Sequence, residues 1–444
     1  MKESSNKGKC MLTTKYVRDH IDEIKESISR RKSNYPIDKL LELDKKWREH
    51  KTQLQELQAK RNKANIEVSE LKKSGKDIKE KVVSLGFLKE QIEELEGNLA
   101  ENAQEIDKLL WNMPNVLDKA VPYGESEEQN IEIKKVGKVE KERKSGNHEE
   151  ILKNLGLLEI EQASVVSGAR FYYLKGDLAL LEQALIRFGI DEMMKVGYTL
   201  VAPPLMLKKE FYRGVTALGD FEELLYRVAD PDEVESKKDY EKTNDDLFLI
   251  STSEHSLAAL HAGQVLNAKE LPKKYIGVSP CFRREAGSHG KDTKGIFRVH
   301  HFYKIEQYIF CKPEDSAKYF DELLANAESI SQKLKLPYRV LEFCTGGIGT
   351  VASRKNDVEA YMYGQQTYRE VASCSNCTDW QSVRLDIKYE EKGERKYVHT
   401  LNSTVIPTTR MMVAITENYL NDDGTITVPD ALVPYMGKKR IGSL

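Results

Sequence analysis

Residues 281–308, CFRREAGSHGKDTKGIFRVHHFYKIEQY, set Arg283, Arg284, Lys291, Lys294, Arg298 and Lys304 among apolar residues, with His289, His300 and His301 interleaved. Two chemistries are open to such a stretch: metal binding, or a clamp on a polyanion. Zinc needs about four N, S or O ligands at suitable spacing. Cys374 and Cys377 in CSNC offer one pair, but the chain has no second CxxC and no HxxxH. His300 and His301 are adjacent, and neighbours on a strand point to opposite faces. The polyanion reading uses more of the residues. CFRREAG and IFRVHHFYKIEQY read as two strands joined by the glycine-bearing loop SHGKDTKG. On the second strand Arg298, His300 and Phe302 share a face that Lys304 and Glu306 continue. An arginine on each strand can hold phosphates bidentately, and Phe302 can stack on a base. Glu285 and Glu306 would be out of place in a simple anion clamp. They fit a ligand that also carries an amine, so the set suggests ATP plus an amino acid.

These residues need a sheet to hold them. Strand-like runs recur at 247–250, 274–280, 297–310, 338–343, 367–375 and 383–390, interrupted by long helical patterns that do not alternate regularly with them. That order predicts an α+β fold with a largely antiparallel sheet and flanking helices. Residues 177–204 read as an amphipathic helix (Leu178, Leu181, Leu185, Phe188), then Gly197, then a strand stopped by Pro203-Pro204. Residues 229–245, ADPDEVESKKDYEKTND, are too polar to be buried and read as a surface insertion.

Residues 36–112 differ from everything that follows. Apolar residues fall at Leu40, Leu43, Trp47, Leu54, Leu57, Ala64, Val68 and Leu71, in steps of 3, 4 or 7. After Ser74-Gly75-Lys76-Asp77 the pattern resumes at Ile78, Val82, Leu85, Leu88, Ile92, Leu95, Leu99, Ile106 and Leu109. The spacing predicts two long helices folded back antiparallel, stripe on stripe, each roughly 50 Å long. Residues 38–80 hold 12 Lys/Arg against 9 Asp/Glu, and residues 81–110 hold 3 against 7. One account is a solvated surface with cross-helix ion pairs. The other is that Lys60, Arg61, Lys63, Lys72, Lys73, Lys76 and Lys79 meet a phosphate backbone. The predicted organisation is therefore an N-terminal extension (1–10), a helical hairpin domain (11–115), a polar linker (116–150) and a catalytic domain (151–444).

Composition bounds the rest. The formal net charge of −2 over 444 residues gives no global pull toward nucleic acid, so any such contact must be local. No apolar run reaches the length of a membrane span. The start, MKESSNKGKC, lacks the apolar stretch of a secretory signal. Six thinly spread cysteines do not suggest a disulfide framework, and a reducing cytoplasm fits.

The wording FRREAG…GKDTKGIFRVHHF.KIEQ resembles motif 2 of class II aminoacyl-tRNA synthetases, in the form found in seryl-tRNA synthetases of archaea and eukaryotes. The resemblance runs from about Met11 to the C-terminus. It takes in the N-terminal hairpin, the helix–strand–Pro element around Gly197 and Pro204 (motif 1), and ISTSEHSLAALHAG at 250–263. YREVASCSNCTDWQSVR at 368–384 and HTLNSTVIPTTRMMVAITENY at 399–419 (motif 3) complete it. SCSNCTDWQ belongs to that family pattern, which further weakens the zinc reading.

The resemblance implies a serine–tRNA ligase that activates L-serine with ATP and Mg²⁺, then charges tRNA(Ser), and tRNA(Sec) as well. It implies an ATP site of Arg283, Arg284, Glu285, Val299, Phe302, Glu370, Val371, Ala372, Ser373 and Arg410. Within it Arg283 would hold the α-phosphate, Arg410 the γ-phosphate, and Phe302 the adenine ring, whose edge is read near Glu285 and Val299. Arg283, Arg410 and Glu370 are the implied catalytic residues. Glu370 and Ser373 are the implied Mg²⁺ ligands, of the hard-oxygen type that ion prefers. Serine selection would fall to Thr252, Ser253, Glu254, Glu306, Asn402 and Thr404. Taken singly, Arg410 reads as a surface helix residue, Glu370 as a surface carboxylate and TSEH as a helix N-cap. The hairpin would embrace the variable arm of the tRNA, bound across a homodimer.

Five positions depart from the family wording: His301 for Gln, Asn356 for Tyr, Tyr363 for Pro, Pro407 for Ala and Thr416 for Leu. Residues 1–10 precede the usual start, which makes Met11 a second candidate. These departures leave open a specialised paralogue that supplies activated serine or seryl-tRNA to secondary metabolism or resistance. Delivery of serine to a carrier protein, or a non-catalytic RNA-binding role, are further readings. The intact hairpin argues against the carrier route. Retention of Arg283, Glu285, Glu306, Glu370, Thr404 and Arg410 argues against a dead enzyme.

Overall fold

The computed structural model describes residues 13–140, 146–217, 222–229, 246–285 and 294–442. The N-terminal extension with Met11, nearly all of the polar insertion, and His289 and Lys291 lie outside these residues. The chain divides into two units, Met1–Ser29 with Ser33–Pro114, and Arg30–Lys32 with Asn115–Leu444.

The first unit holds the hairpin. Helix α1 spans Ile37–Lys73 and α2 spans Lys79–Trp111, with the break at the Ser-Gly turn. Ser74 closes α1 by donating its backbone N–H to Glu70 and Leu71 carbonyls. Gly75 takes φ +67°, a conformation glycine adopts without steric cost. The helices run antiparallel, with Lys39–Glu105 at 2.8 Å and Lys81–Glu67 at 2.5 Å bridging them. Two short helices, Thr14–Asp19 and Ile21–Arg30, precede it.

The second unit is built on an eight-stranded sheet. In chain order its strands are β1 (Ile131–Val136), β2 (Thr199–Val201), β3 (Lys273–Phe282), β4 (His301–Cys311), β5 (Tyr338–Glu342), β6 (Arg354–Met362), β7 (Thr367–Asn376) and β8 (His399–Pro407). They lie in the order β1-β5-β6-β7-β8-β4-β3-β2, antiparallel except for β2 on β3. The helices that matter to the site are α3 (Gly176–Lys195), α4 (Ser253–Ala259), α5 (Ser316–Lys333) and α6 (Thr408–Asn418). Strand β4 is covered on both faces. Ile305 and Ile309 enter a core with Leu181, Leu185, Phe188 and Phe320, while Tyr308 and Phe310 enter a second with Tyr212, Leu257 and Tyr389.

Three expectations need correction. Residues 116–150 are not simply a linker, because Ile131–Val136 pairs with β5 from Ile131↔Glu342 to Val136↔Tyr338. IEIKKV is exposed along nearly its whole length, Ile131 and Ile133 included, so this edge strand adds little to the core and sits within a polar span. The run 297–310 becomes strand only at His301, since the amide of His300 is taken by the Arg170 carbonyl before pairing starts. Arg298 and His300 are therefore not on the strand that carries Phe302. Residues 383–390 hold the end of a short helix, Trp380–Arg384, and a strand from Lys388, separated by Asp386 at φ +53°.

Candidate active site

A cavity of about 460 Å³ opens where β3, β4, β7 and β8 meet α4 and α6. Of the residues singled out by sequence, Thr252, Glu254, Arg283, Phe302, Glu306, Glu370, Ser373, Asn402, Thr404 and Arg410 line it. Alternation along β4 puts Phe302, Lys304 and Glu306 on that wall together.

Two β-bulges aim the other walls. The pairing of β6 with β7 shifts at Val358/Glu359, so Glu359 faces Glu370 and Val358 faces Ala372. Val371 is the extra residue. Strict alternation from Glu370 would send Ala372 into the cavity, whereas the bulge sends Ser373 and Ser375. Likewise β4 and β8 shift between Ile305↔Ile406 and Glu306↔Thr404, leaving Val405 extra. Asn402, Thr404 and Pro407 then line the cavity while Ile406 goes to the core.

One cluster is built on carboxylates. The Glu306 side chain is 2% exposed and pairs with Lys304, itself 8% exposed, at 2.6 Å. Thr404 Oγ1 donates to Glu306 Oε2 at 3.2 Å. Burial raises the Glu306 pKa, and the Lys304 ammonium opposes it. Glu254 Oε1 accepts from Asn402 Nδ2 at 3.0 Å and Gln381 Nε2 at 3.2 Å. Burial, then repulsion from Glu306, push Glu254 up to about 7 against Lys304. Thr252 is the N-cap of α4, accepting from the Glu254 amide at 3.2 Å, so the capping and site readings of TSEH coexist. His255 is pushed down to about 3, by burial first and then by Lys304 and Arg283, so it is neutral, and its Nδ1 lies 2.9 Å from Tyr212 Oη.

The other cluster is cationic. Arg283 leaves the end of β3, donates from Nε to the Ser251 carbonyl at 3.3 Å, and lays its guanidinium 5.2 Å from the Phe302 ring centre. Arg410, in the first turn of α6, reaches the Glu370 carboxylate and carbonyl, each at 3.1 Å. Burial works to raise the Glu370 pKa, but Arg410, then Lys355 and Arg283, hold it well below the usual range.

Several predicted residues do not line this cavity. Ser253 is buried and donates to the Gly277 carbonyl at 3.2 Å. Val299, Val371 and Ala372 are buried behind the wall. The Arg284 amide donates to the Leu224 carbonyl. Glu285 sits at φ +46° and pairs with Arg298 at 2.6 Å, to one side. His301 lies on the other side of β4, half-buried against Phe282 and Tyr303, with its pKa lowered by burial.

Sequence reasoning left Lys304 and Lys355 without a role, and passed over Ser375 and the segment Ile348–Ala352, all of which line the cavity. Alternation places Lys304 on the face of Phe302 and Glu306, where it does line the cavity, but assigns it no task. It also missed Asp357, which pairs opposite Ser373, is buried, and has an Oδ1 with no hydrogen-bond partner. Burial and Glu370 push Asp357 up to about 7 against Lys355. Among the described residues no group of three or more His, Cys, Asp or Glu has the geometry of a metal site, and the five described cysteines are free.

Comparison with known proteins gives the family. Residues 11–117 match the seryl-tRNA synthetase N-terminal domain, and residues 234–419 match the class II tRNA synthetase core domain (G, H, P, S and T). The serine–tRNA ligase of Thermococcus sibiricus is 42% identical over 97% of each chain. The crystal structure of seryl-tRNA synthetase from Pyrococcus horikoshii complexed with ATP is 39% identical, covering 97% of this chain and 99% of that one, with a TM-score of 0.89. The cytoplasmic serine–tRNA ligase of Naegleria fowleri, solved with AMP, is 36% identical over 96% of each chain, with a TM-score of 0.83. Similar along nearly its full length and in both of its units, the chain belongs to the seryl-tRNA synthetase family of class II aminoacyl-tRNA synthetases.

Proposed function

We propose that this serine–tRNA ligase carries out both of its steps in the cavity just described. In the first, a carboxylate oxygen of serine attacks the α-phosphorus of ATP. The bond to pyrophosphate breaks and seryl-adenylate forms. In the second, a ribose hydroxyl of the tRNA's terminal adenosine attacks the acyl carbon and AMP leaves. In-line displacement at phosphorus asks the protein mainly for positioning and charge neutralisation. Arg283 and Arg410 supply fixed positive charge for the α- and γ-phosphates, and Phe302 a flat apolar surface for adenine. Arg284, Glu285 and Val299 belong to the adenine side, Val371 and Ala372 to the strand backing it. Glu254 and Glu306 receive the ammonium and the hydroxyl of serine, with Thr252, Asn402 and Thr404 completing the pocket and Ser253 holding α4 against β3. A pocket that hydrogen-bonds a substrate hydroxyl rejects alanine, since its own buried groups would otherwise go unpaired.

Glu370 and Ser373, with Asp357 beside them, would hold Mg²⁺. The donors are hard oxygens of the type that ion prefers, and the buried Asp357 Oδ1, with no hydrogen bond and only Lys355 Nζ at 3.6 Å for a partner, has coordination to spare. When bound, the ion neutralises phosphate charge.

The hairpin is the proposed tRNA(Ser) contact, extending to tRNA(Sec). Lys60, Arg61, Lys63, Lys72, Lys73, Lys76 and Lys79 form no ion pair among the described residues, while the cross-helix pairs use other side chains. A homodimer is supported by exposed apolar side chains along motif 1, at Met194, Val196 and Leu200. Among the described residues no helix is long and apolar enough to cross a membrane. A cytoplasmic enzyme fits.

The observation that carries the reading is the convergence of Arg283, Arg410, Glu254, Glu306 and Thr404 on one cavity. Serine-dependent exchange of pyrophosphate into ATP, followed by charging of purified tRNA(Ser), tests it. Both are expected. Absence of exchange with every amino acid would overturn the assignment of the cavity. Exchange without charging would overturn the tRNA role of the hairpin.

A further inference from the structure

We infer that His148 and Phe297 are positioning residues for Arg410, linked in a buried relay that begins in the span read from sequence as a linker. The inference rests on Arg410 holding an ATP phosphate. His148 and Glu417 are both buried, and Glu417 lies on α6, seven residues or about two turns beyond Arg410. Glu417 Oε1 accepts from His148 Nδ1 at 3.0 Å and from the His148 amide at 3.3 Å. Glu417 Oε2 accepts from the Gly364 amide at 2.8 Å. His148 Nε2 lies 3.2 Å from the Ile296 amide. A peptide N–H can only donate, so Nε2 is the acceptor and the ring proton sits on Nδ1, facing Glu417. One neutral imidazole thus ties Gly295–Phe297 to the motif 3 helix.

The fit leaves no room for side chains. A Cβ at Gly295 would fall 2.1 Å from His148 Nε2, and one at Gly364 would fall 2.6 Å from Glu417 Oε1. Gly295 also takes φ +68°, which a residue with a Cβ adopts only under strain.

The residue after Ile296 is Phe297. Its buried ring carries the Arg369 guanidinium at 4.4 Å and the Arg410 guanidinium at 5.0 Å from the ring centre. Among the described residues, the Arg410 guanidinium has its ion pair and hydrogen bond with Glu370 and its ring contact with Phe297. Glu370 itself faces the cavity. A platform independent of Glu370 keeps Arg410 aimed when Glu370 engages a ligand. The path runs from Glu417 through His148 and the Ile296 amide to the Phe297 ring, and so to Arg410.

The test is ATP–pyrophosphate exchange by the full-length enzyme, with ATP and serine titrated separately. Phe297→Leu keeps the site filled but removes the ring face. It should raise KM for ATP roughly five- to thirtyfold while KM for serine stays within about twofold. His148→Ala should shift the same parameter. The double variant should be no worse than the stronger single one, because both act through one contact. An unchanged KM for ATP in Phe297→Leu, equal shifts for ATP and serine, or losses that multiply in the double variant would overturn the relay. Should His148→Ala fail to fold, Phe297→Leu alone decides. Arg410→Ala separates the two levels. If it leaves KM for ATP unchanged, the reading of Arg410 itself is wrong. If it raises KM while Phe297→Leu does not, only the relay is wrong.

Discussion

The hairpin and the sheet handle charge in opposite ways. Over its 37 residues α1 buries only Ile37, Leu40 and Asp44, and over its 33 residues α2 buries only Ile92, Ile106 and Leu110. Apart from Asp44, which is buried against Arg18 and Arg48, its charges stand largely in water, where ion pairs such as Lys81–Glu67 are screened and contribute little. Strand β4 is buried from Lys304 onward and includes Lys304, Glu306 and Gln307 in that buried run. There a charge cannot be removed singly without stranding its partner, a loss of about 3–5 kcal/mol for a buried pair. Exposed charge is additive and salt-sensitive, which suits reading a long phosphate backbone. Dry charge is coupled and salt-insensitive, which suits one small ligand in one pose.

The sharpest way to break this comparison is to remove one charge from each region. Arg283→Ala should lower serine-dependent pyrophosphate exchange at least about a thousandfold, as expected for an arginine on a transferring phosphoryl group. Its affinity for tRNA(Ser), measured by filter binding, should stay within about twofold. The triple change Lys72→Ala, Lys73→Ala, Lys76→Ala should do the reverse. Exchange should be untouched, tRNA affinity should fall about ten- to a hundredfold, and the slope of log affinity against log salt should shrink by up to about 3. A variant that moved both readouts would show the two regions to be one electrostatic system.

Acidity separates the regions at a smaller scale. Glu254 is held near 7 by burial and by Glu306, so it is ionised above that pH and neutral below. In the role proposed for Glu254, only the ionised form can pair with the serine ammonium. Therefore kcat/KM for serine should be level above about pH 7 and fall about tenfold per unit below it, the profile reporting the free enzyme. Glu254→Gln should remove that limb along with most of the activity. The half-exposed carboxylates Glu67 and Glu105 have their pKa values lowered by hydrogen bonds to Lys81 and Lys39, so tRNA binding should show no limb near 7. A tRNA-binding limb there would contradict the contrast.

How far each region was legible in sequence follows from the same physics. The hairpin announced itself because a seam of apolar residues at steps of 3 and 4 has no competing pattern. On β4, alternation correctly joined Phe302 to Lys304 and Glu306. Edge strand β1 was hidden because it is short and lies between polar runs, and even its isoleucines, Ile131 and Ile133, are exposed rather than core. The walls built by β7 and β8 were distorted by bulges at Val371 and Val405, which no period-2 count can locate. Arg298 was misplaced because the segment before His301 answers to partners at Arg170 and His148, distant in sequence. His148 itself was invisible, since its carboxylate partner Glu417 lies 269 residues away. Asp357 carried no signal beyond being a charge in a strand, and only burial without a hydrogen-bond partner for Oδ1 marks it.

The smallest effect concerns a hydroxyl in each region. Thr416, one of the positions read from sequence as departing from the family wording, is fully buried on α6 and its Oγ1 has no hydrogen-bond partner. A helical threonine can bond a carbonyl one turn back, which would offset desolvation, but no such bond forms here. Leaving a polar group dry and unpaired costs about 1–3 kcal/mol. Thr416→Val keeps the shape and removes the hydroxyl, so it should raise the midpoint of thermal unfolding by a few degrees. Leucine would also remove the hydroxyl but add volume to a closed core, with a smaller or negative gain. On the hairpin, Thr52 is exposed and its Oγ1 donates to the Arg48 carbonyl at 3.1 Å. Thr52→Val removes a group that water can replace, so the midpoint should not move measurably. If Thr416→Val lowered the midpoint, or Thr52→Val shifted it as much, burial would not be what sets the two regions apart.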